Sequence, residues 1–270
     1  MTRAERTTAS TLRSTGVVAS TTSVAGHIRR DRIAITSCIV LITALAWAYL
    51  VHLHGQMMTN MGMAMTAPWG ASDVFFTFLM WAVMMVGMMS ATAAPVLYLF
   101  SGMQVRQPER RASYAVLLFG LGYITVWVGF SALAALAQWA LHEGALLSPG
   151  MAASSSRVAG AILIAAGVYQ LTPAKGACLR QCRSPLGFLL SNWRDGEWGV
   201  FQMGLRHGVY CLGCCWALMG VLFAVGVMNL VWVAALTAFI LLEKFGRAGA
   251  LASRLGGIAM IAFGILIIAG

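Results

Sequence analysis

Long apolar runs, separated by short basic or polar stretches, constrain this chain more than any motif it carries. The runs fall at 33–51, 73–100, 112–141, 152–172, 207–225, 228–242 and 255–269. About 20 apolar residues suffice to cross a hydrocarbon core roughly 30 Å thick, and a segment surrounded by lipid must satisfy its backbone hydrogen bonds within itself, as a helix does. The expected fold is therefore an all-α, polytopic bundle of transmembrane helices with about seven spans, or six, because the last two runs are short. A chain that is 60% hydrophobic and only 10% charged is not a soluble globular protein.

Charge placement tests that layout independently, because cytoplasmic loops carry the excess of Lys and Arg. Alternating seven spans from a cytoplasmic N-terminus leaves only Arg157 outside, so seventeen of the eighteen basic residues obey one topology. The expected location is the bacterial inner membrane, with multiple passes. The formal charge of +10 then belongs to inner loops facing anionic lipid and calls for no nucleic-acid partner. Residues 1–28, rich in Ser, Thr and Arg, read as a disordered basic tail. Residues 29–270 read as a single transmembrane domain with a Met/His-rich outer loop at 52–72 and a Cys-bearing inner loop at 173–206.

Within 207–225 lies the strongest chemical signal. With 100° per residue and His207 at zero, Cys211 falls at about 40°, Cys214 at about 340° and Cys215 at about 80°, so one imidazole and three thiols share one side of a helix. Thiolate and imidazole suit Cu(I) and Zn(II), whereas Mg and Ca prefer oxygen. One straight helix cannot turn all four groups onto one ion, so further ligands must come from elsewhere. Thr172-Pro173 and Ser184-Pro185 bracket a short inner helix that carries Cys178 and Cys182 on one face, and these two could complete the shell. Arg206, Arg180 or Arg183 could neutralise its charge. Glu243 reads as an added ligand, a proton acceptor or a partner of one of these arginines. Gln170, inside the membrane, needs a hydrogen-bond partner. The bland alternative is that the cysteines are small apolar packing residues.

Two methionine groups favour copper over zinc. His52, His54, Met57, Met58 and Met61 lie in the outer segment, where a thioether remains a Cu(I) ligand. Met80, Met84 and Met88 form a ladder down one face of the second span, flanked by Met85 and Met89. A methionine stripe also serves as flexible packing, but this ladder starts beneath the outer Met/His segment and descends towards the cysteines.

The stretches from Tyr169 through Cys178 and Cys182 to Leu186, and from Met203 through His207, Cys211, Cys214 and Cys215 to Met219, together with Met228-Asn-Leu and Glu243-Lys244, carry a resemblance. Over about 73–244 the chain resembles the bacterial family of predicted metal-binding integral membrane proteins. That resemblance implies a metal site within the membrane; copper comes from the methionines. The expected function is Cu(I) handling, by uptake, transfer or delivery to a copper enzyme, with a periplasmic copper donor or acceptor protein as partner. Two alternatives stand beside it: a membrane metalloenzyme using Cys, His and Glu243 at an open metal site, and a thiol–disulfide oxidoreductase using Cys211 and Cys214.

Overall fold

The computed structural model describes residues 3–60, 69–104, 109–144, 146, 152–246 and 248–269. Met61 of the expected outer segment lies outside these residues, and so do the side chains of Met57 and Met58. The described residues form helices α1 (Arg3–Asn60), α2 (Ala71–Met103), α3 (Glu109–Glu143), α4 (Ser156–Leu171), α5 (Pro173–Arg183), α6 (Pro185–Asn192), α7 (Gly196–Val225), α8 (Leu230–Phe245) and α9 (Gly249–Ala269). The protein is all-α and multi-pass. Among the described residues, five helices are long and apolar enough to cross a membrane: Arg29–Gln56 within α1, α2, Arg110–Glu143 within α3, α7 and α9. A sixth crossing arises if α4 and α5, which meet at a bend of 64°, count as one broken span.

Helices α4 and α8 fall short of the expected crossings for reasons of length. Helices α4 and α8 have 16 residues each, about 24 Å at 1.5 Å per residue, short of the hydrocarbon thickness. In the other direction, helix extends into the expected loops. Helix α1 continues through His52 and His54 to Asn60, and α7 begins at Gly196, so His207 sits well inside a helix instead of at its entrance.

Helix boundaries follow ordinary capping chemistry. Thr172 Oγ1 accepts from the Lys175 backbone N–H at 3.3 Å, with Pro173 at the first position of α5. Ser184-Pro185 then ends α5 and starts α6. Asn229 Oδ1 accepts from the backbone N–H groups of Val231 and Trp232 at the start of α8, after a turn in which Gly226 takes φ +99°, a conformation other residues resist. Helix α2 runs uninterrupted through Pro95.

The packing that positions the site is centred on α7, which lies against α3, α4, α5 and α8. Lipid gives helices no hydrophobic reason to associate, so close backbone approach between small residues takes over. Helices α3 and α7 show this most sharply. A Cβ on Gly204 would stand 2.0 Å from the Phe119 carbonyl oxygen, and one on Gly122 would stand 2.2 Å from that of Phe201. Both neighbours are backbone and cannot step aside. We expect Gly204→Ala to push α3 and α7 apart and to cost about 1–3 kcal/mol as overpacking. Thermal unfolding in detergent checks this, with Gly220→Ala, which meets nothing within 4 Å, as the silent control.

Candidate metal centre

Helix α7 buries the face that the sequence singles out. Cys211, Cys214 and Cys215 are each 1% exposed and His207 is 2% exposed. The thiols of Cys214 and Cys215 donate to the Cys211 carbonyl at 3.0 and 2.9 Å, as i→i−3 and i→i−4 bonds along the helix. His207 stands apart in kind: its ring is enclosed by Phe188, Tyr123 and Phe119 at centroid distances of 5.0, 5.8 and 6.1 Å. Its Nδ1 is buried without a hydrogen-bond partner.

The bend after Leu171 swings α5 across α7 and brings the second cysteine pair to the first. Cys182 Sγ lies 4.0 Å from Cys214 Sγ. Cys178 sits directly over Gly213, where a Cβ would come within 2.8 Å of its sulfur, so a residue with no side chain lets α5 settle this close. Cys182 lies against Cys211 and Cys214, and Cys215 lies against the same two. Among the described residues, however, no group of three or more His, Cys, Asp or Glu side chains is arranged to hold a metal ion.

The remaining sulfur of interest, Cys211, has a partner that the sequence reading missed. Lys244 Nζ donates to Cys211 Sγ at 2.9 Å, and Lys244 is only 5% exposed. On its other side Cys211 Sγ lies 3.1 Å from the Tyr123 hydroxyl and 3.6 Å from Thr92 Oγ1. That hydroxyl is in turn 3.2 Å from the Met89 carbonyl oxygen, which also accepts from Thr92 Oγ1 at 2.8 Å. A continuous polar contact therefore joins the inner end of the methionine ladder to Cys211. Intramembrane Tyr, Thr and Lys were the available signals, since polar groups in lipid need partners.

Glu243 turns to the other neighbour of α8. Lys175 Nζ donates to both of its carboxylate oxygens at 2.8 Å, and Gln170 Nε2 donates to Oε1 at 2.9 Å. Lys175 Nζ also bonds Gln170 Oε1. The partner of Glu243 is thus a lysine of α5, and the expectation of an arginine partner is corrected. Glu243 is 1% exposed, and both of its carboxylate oxygens are occupied by Lys175 and Gln170. The arginines point elsewhere: Arg206 donates to Asn192 Oδ1 at 2.9 Å and Arg183 to the Gly246 carbonyl at 3.0 Å.

The outer candidates occupy separate places. His54 Nδ1 is 3.0 Å from the Met228 carbonyl oxygen, while Gln56 Nε2 donates to His52 Nε2 at 3.0 Å. His142, at the end of α3, stacks on Trp69 at 4.6 Å. Met80, Met84 and Met88 are buried in the same core cluster as Cys211, Cys214 and Cys215, with Met85 and Met89 beside them.

Breaking a buried ion pair on one side leaves an unmatched charge, at a cost of about 3–5 kcal/mol. Lys175→Met should therefore loosen α5 strongly, and Lys175→Met combined with Glu243→Gln should recover much of the loss. Thermal unfolding of the two variants, with maleimide labelling of Cys182 as a reporter of α5 docking, checks both expectations.

Comparison with known proteins gives one family. The model of the copper chaperone family PpoB2 matches residues 78–267, 190 of the 270 residues, and so spans the helices from α2 to α9 that build the site. No curated protein and no solved structure matches the chain. The metal association implied by the earlier resemblance is thereby made specific to copper. With apolar helices suited to several membrane crossings and a family match over most of its length, the chain belongs to the PpoB2 family of copper chaperones.

Proposed function

We propose that this protein handles Cu(I) within the bacterial inner membrane. In this reading it receives the ion on the outer side, passes it along Met80, Met84 and Met88, and binds it between Cys182 and Cys214. The carrying observation is the 4.0 Å between those two sulfurs. With metal–thiolate bonds of about 2.3 Å, two sulfurs on one ion stand roughly 3.8 Å apart at a tetrahedral angle and roughly 4.6 Å apart in a line. The observed spacing lies between, so an ion can enter with little rearrangement of either helix. Two thiolates suffice for a soft monovalent ion such as Cu(I).

The surroundings support the same reading. The unpartnered His207 Nδ1 is a borderline donor held nearby in an aromatic cage. Thioether binds Cu(I) without a charge to leave behind, so a buried methionine ladder offers a route with no deep trap along it. The junction at Met89, Thr92 and Tyr123 brings the end of that route beside the cysteine cluster. Cys182 is half-buried while Cys214 is buried, so an acceptor protein's thiolate would reach the ion from the Cys182 side. At the outer end of the methionine ladder, the partner called for is a periplasmic protein that gives or takes copper.

Cu(I) titration of purified protein against a chromophoric chelator tests the site. Wild type should bind one equivalent, and Cys182→Ser or Cys214→Ser should weaken binding about 100-fold, or roughly 2.8 kcal/mol. Met84→Leu should leave that equilibrium unchanged while slowing copper transfer in proteoliposomes. Equal affinity in wild type and both serine variants would remove the basis for placing copper at this pair.

A further inference from the structure

Lys244 and Cys211 form a contact whose consequence reaches beyond charge balance. An ammonium inside a membrane protein is costly unless matched, and the carboxylate next to it in sequence is already engaged on both oxygens by Lys175. Lys244 turns to sulfur instead, with Nζ 2.9 Å from Cys211 Sγ. Its electrostatic neighbours are Cys211, Cys214, Cys215 and Cys182, so it lies at the cluster itself. Lys carries three donors and no acceptor, and therefore cannot ligate a metal while protonated. It acts on the cluster by occupying one of its sulfurs.

Coordination number separates the two candidate ions. Zn(II) takes four ligands in closed sites and at least three protein ligands in open ones, whereas Cu(I) is satisfied by two soft thiolates. The cluster holds enough sulfur for either. We propose that Lys244 is a specificity-determining residue: by holding the Cys211 sulfur it limits the site to Cys182 and Cys214, and a two-sulfur site takes Cu(I) in preference to Zn(II). This rests on the two-thiolate reading above and adds to it the basis of metal choice. Lys244 touches a sulfur, not the ion, and is a positioning residue.

X-ray absorption of the Cu(I)-loaded full chain, with parallel Zn(II) titrations, tests the idea. Wild type should show two sulfurs on copper. Lys244→Leu, which removes the ammonium without adding a ligand, should raise the count to three and tighten Zn(II) binding about tenfold or more. Lys244→Arg should keep the wild-type count. Adding Cys211→Ala to Lys244→Leu should return copper to two sulfurs and abolish the gain in zinc affinity, which a purely structural role for Lys244 would not predict. Three sulfurs in wild type, or a Lys244→Leu variant indistinguishable from wild type, overturns the proposal. Should Lys244→Leu fail to fold, the wild-type sulfur count together with the Lys244→Arg count decides. Undiminished Cu(I) binding in Cys182→Ser/Cys214→Ser sinks the site reading itself, a separate result from failure of the lysine's role.

Discussion

Two consecutive charged residues at the C-terminal end of α8 organise this structure, because neither can be left unmatched where it lies. Successive side chains on a helix diverge by about 100°, so Glu243 and Lys244 face different neighbours. Glu243 takes Lys175 of α5 and Gln170 of α4, and Lys244 takes Cys211 of α7. One short helix thereby ties the bent α4–α5 unit to the long helix that carries three cysteines. Each contact offsets a desolvation cost that lipid and protein interior would otherwise impose in full. The position of α5, and so of Cys178 and Cys182, depends on that tie.

The site falls between helices because it cannot be built within one. Cys211, Cys214 and Cys215 share a face, but one straight helix does not turn all three onto a point, and two of their thiols are bonded to the Cys211 carbonyl. A facing sulfur must come from elsewhere, and the 64° bend at Thr172 supplies it by laying α5 across α7. Gly213 makes the approach close enough by offering Cys178 no side chain to meet. The same logic of small residues recurs where Gly122 and Gly204 let α3 reach α7, which puts Tyr123 within reach of Cys211.

Much of this was legible in the sequence, and the exceptions have physical causes. Length and charge fixed the helical, multi-pass class, since lipid leaves few alternatives for a chain with these apolar runs. Thr172-Pro173 and Ser184-Pro185 marked α5 to the residue, because capping is local chemistry. The buried face of α7 followed from helical period, and the need of Gln170 for a partner followed from its depth. Span counting was less secure: α4 and α8 are apolar but too short to cross alone, and hydropathy does not show a bend. Partner choice was out of reach, since nothing in sequence says that Glu243 meets Lys175 and not an arginine. The sulfur contact of Lys244 was hidden for the same reason, although its place beside Glu243 at that depth was visible.

A copper chaperone must hold its ion and also give it up, and those demands pull coordination number in opposite directions. A closed shell of three or four thiolates would bind Cu(I) so completely that an acceptor would have no vacant direction of attack. Two sulfurs leave the ion bound yet open, so an incoming thiolate can add before a resident one departs, and no free ion need form. On that argument, the sulfurs the protein withholds matter as much as those it offers. Cys211 is held by an ammonium, and Cys215 directs its proton to a carbonyl. Cys182 is half-buried, as is Cys178 on the same helix, so under the proposed function exchange with a second protein would begin on α5.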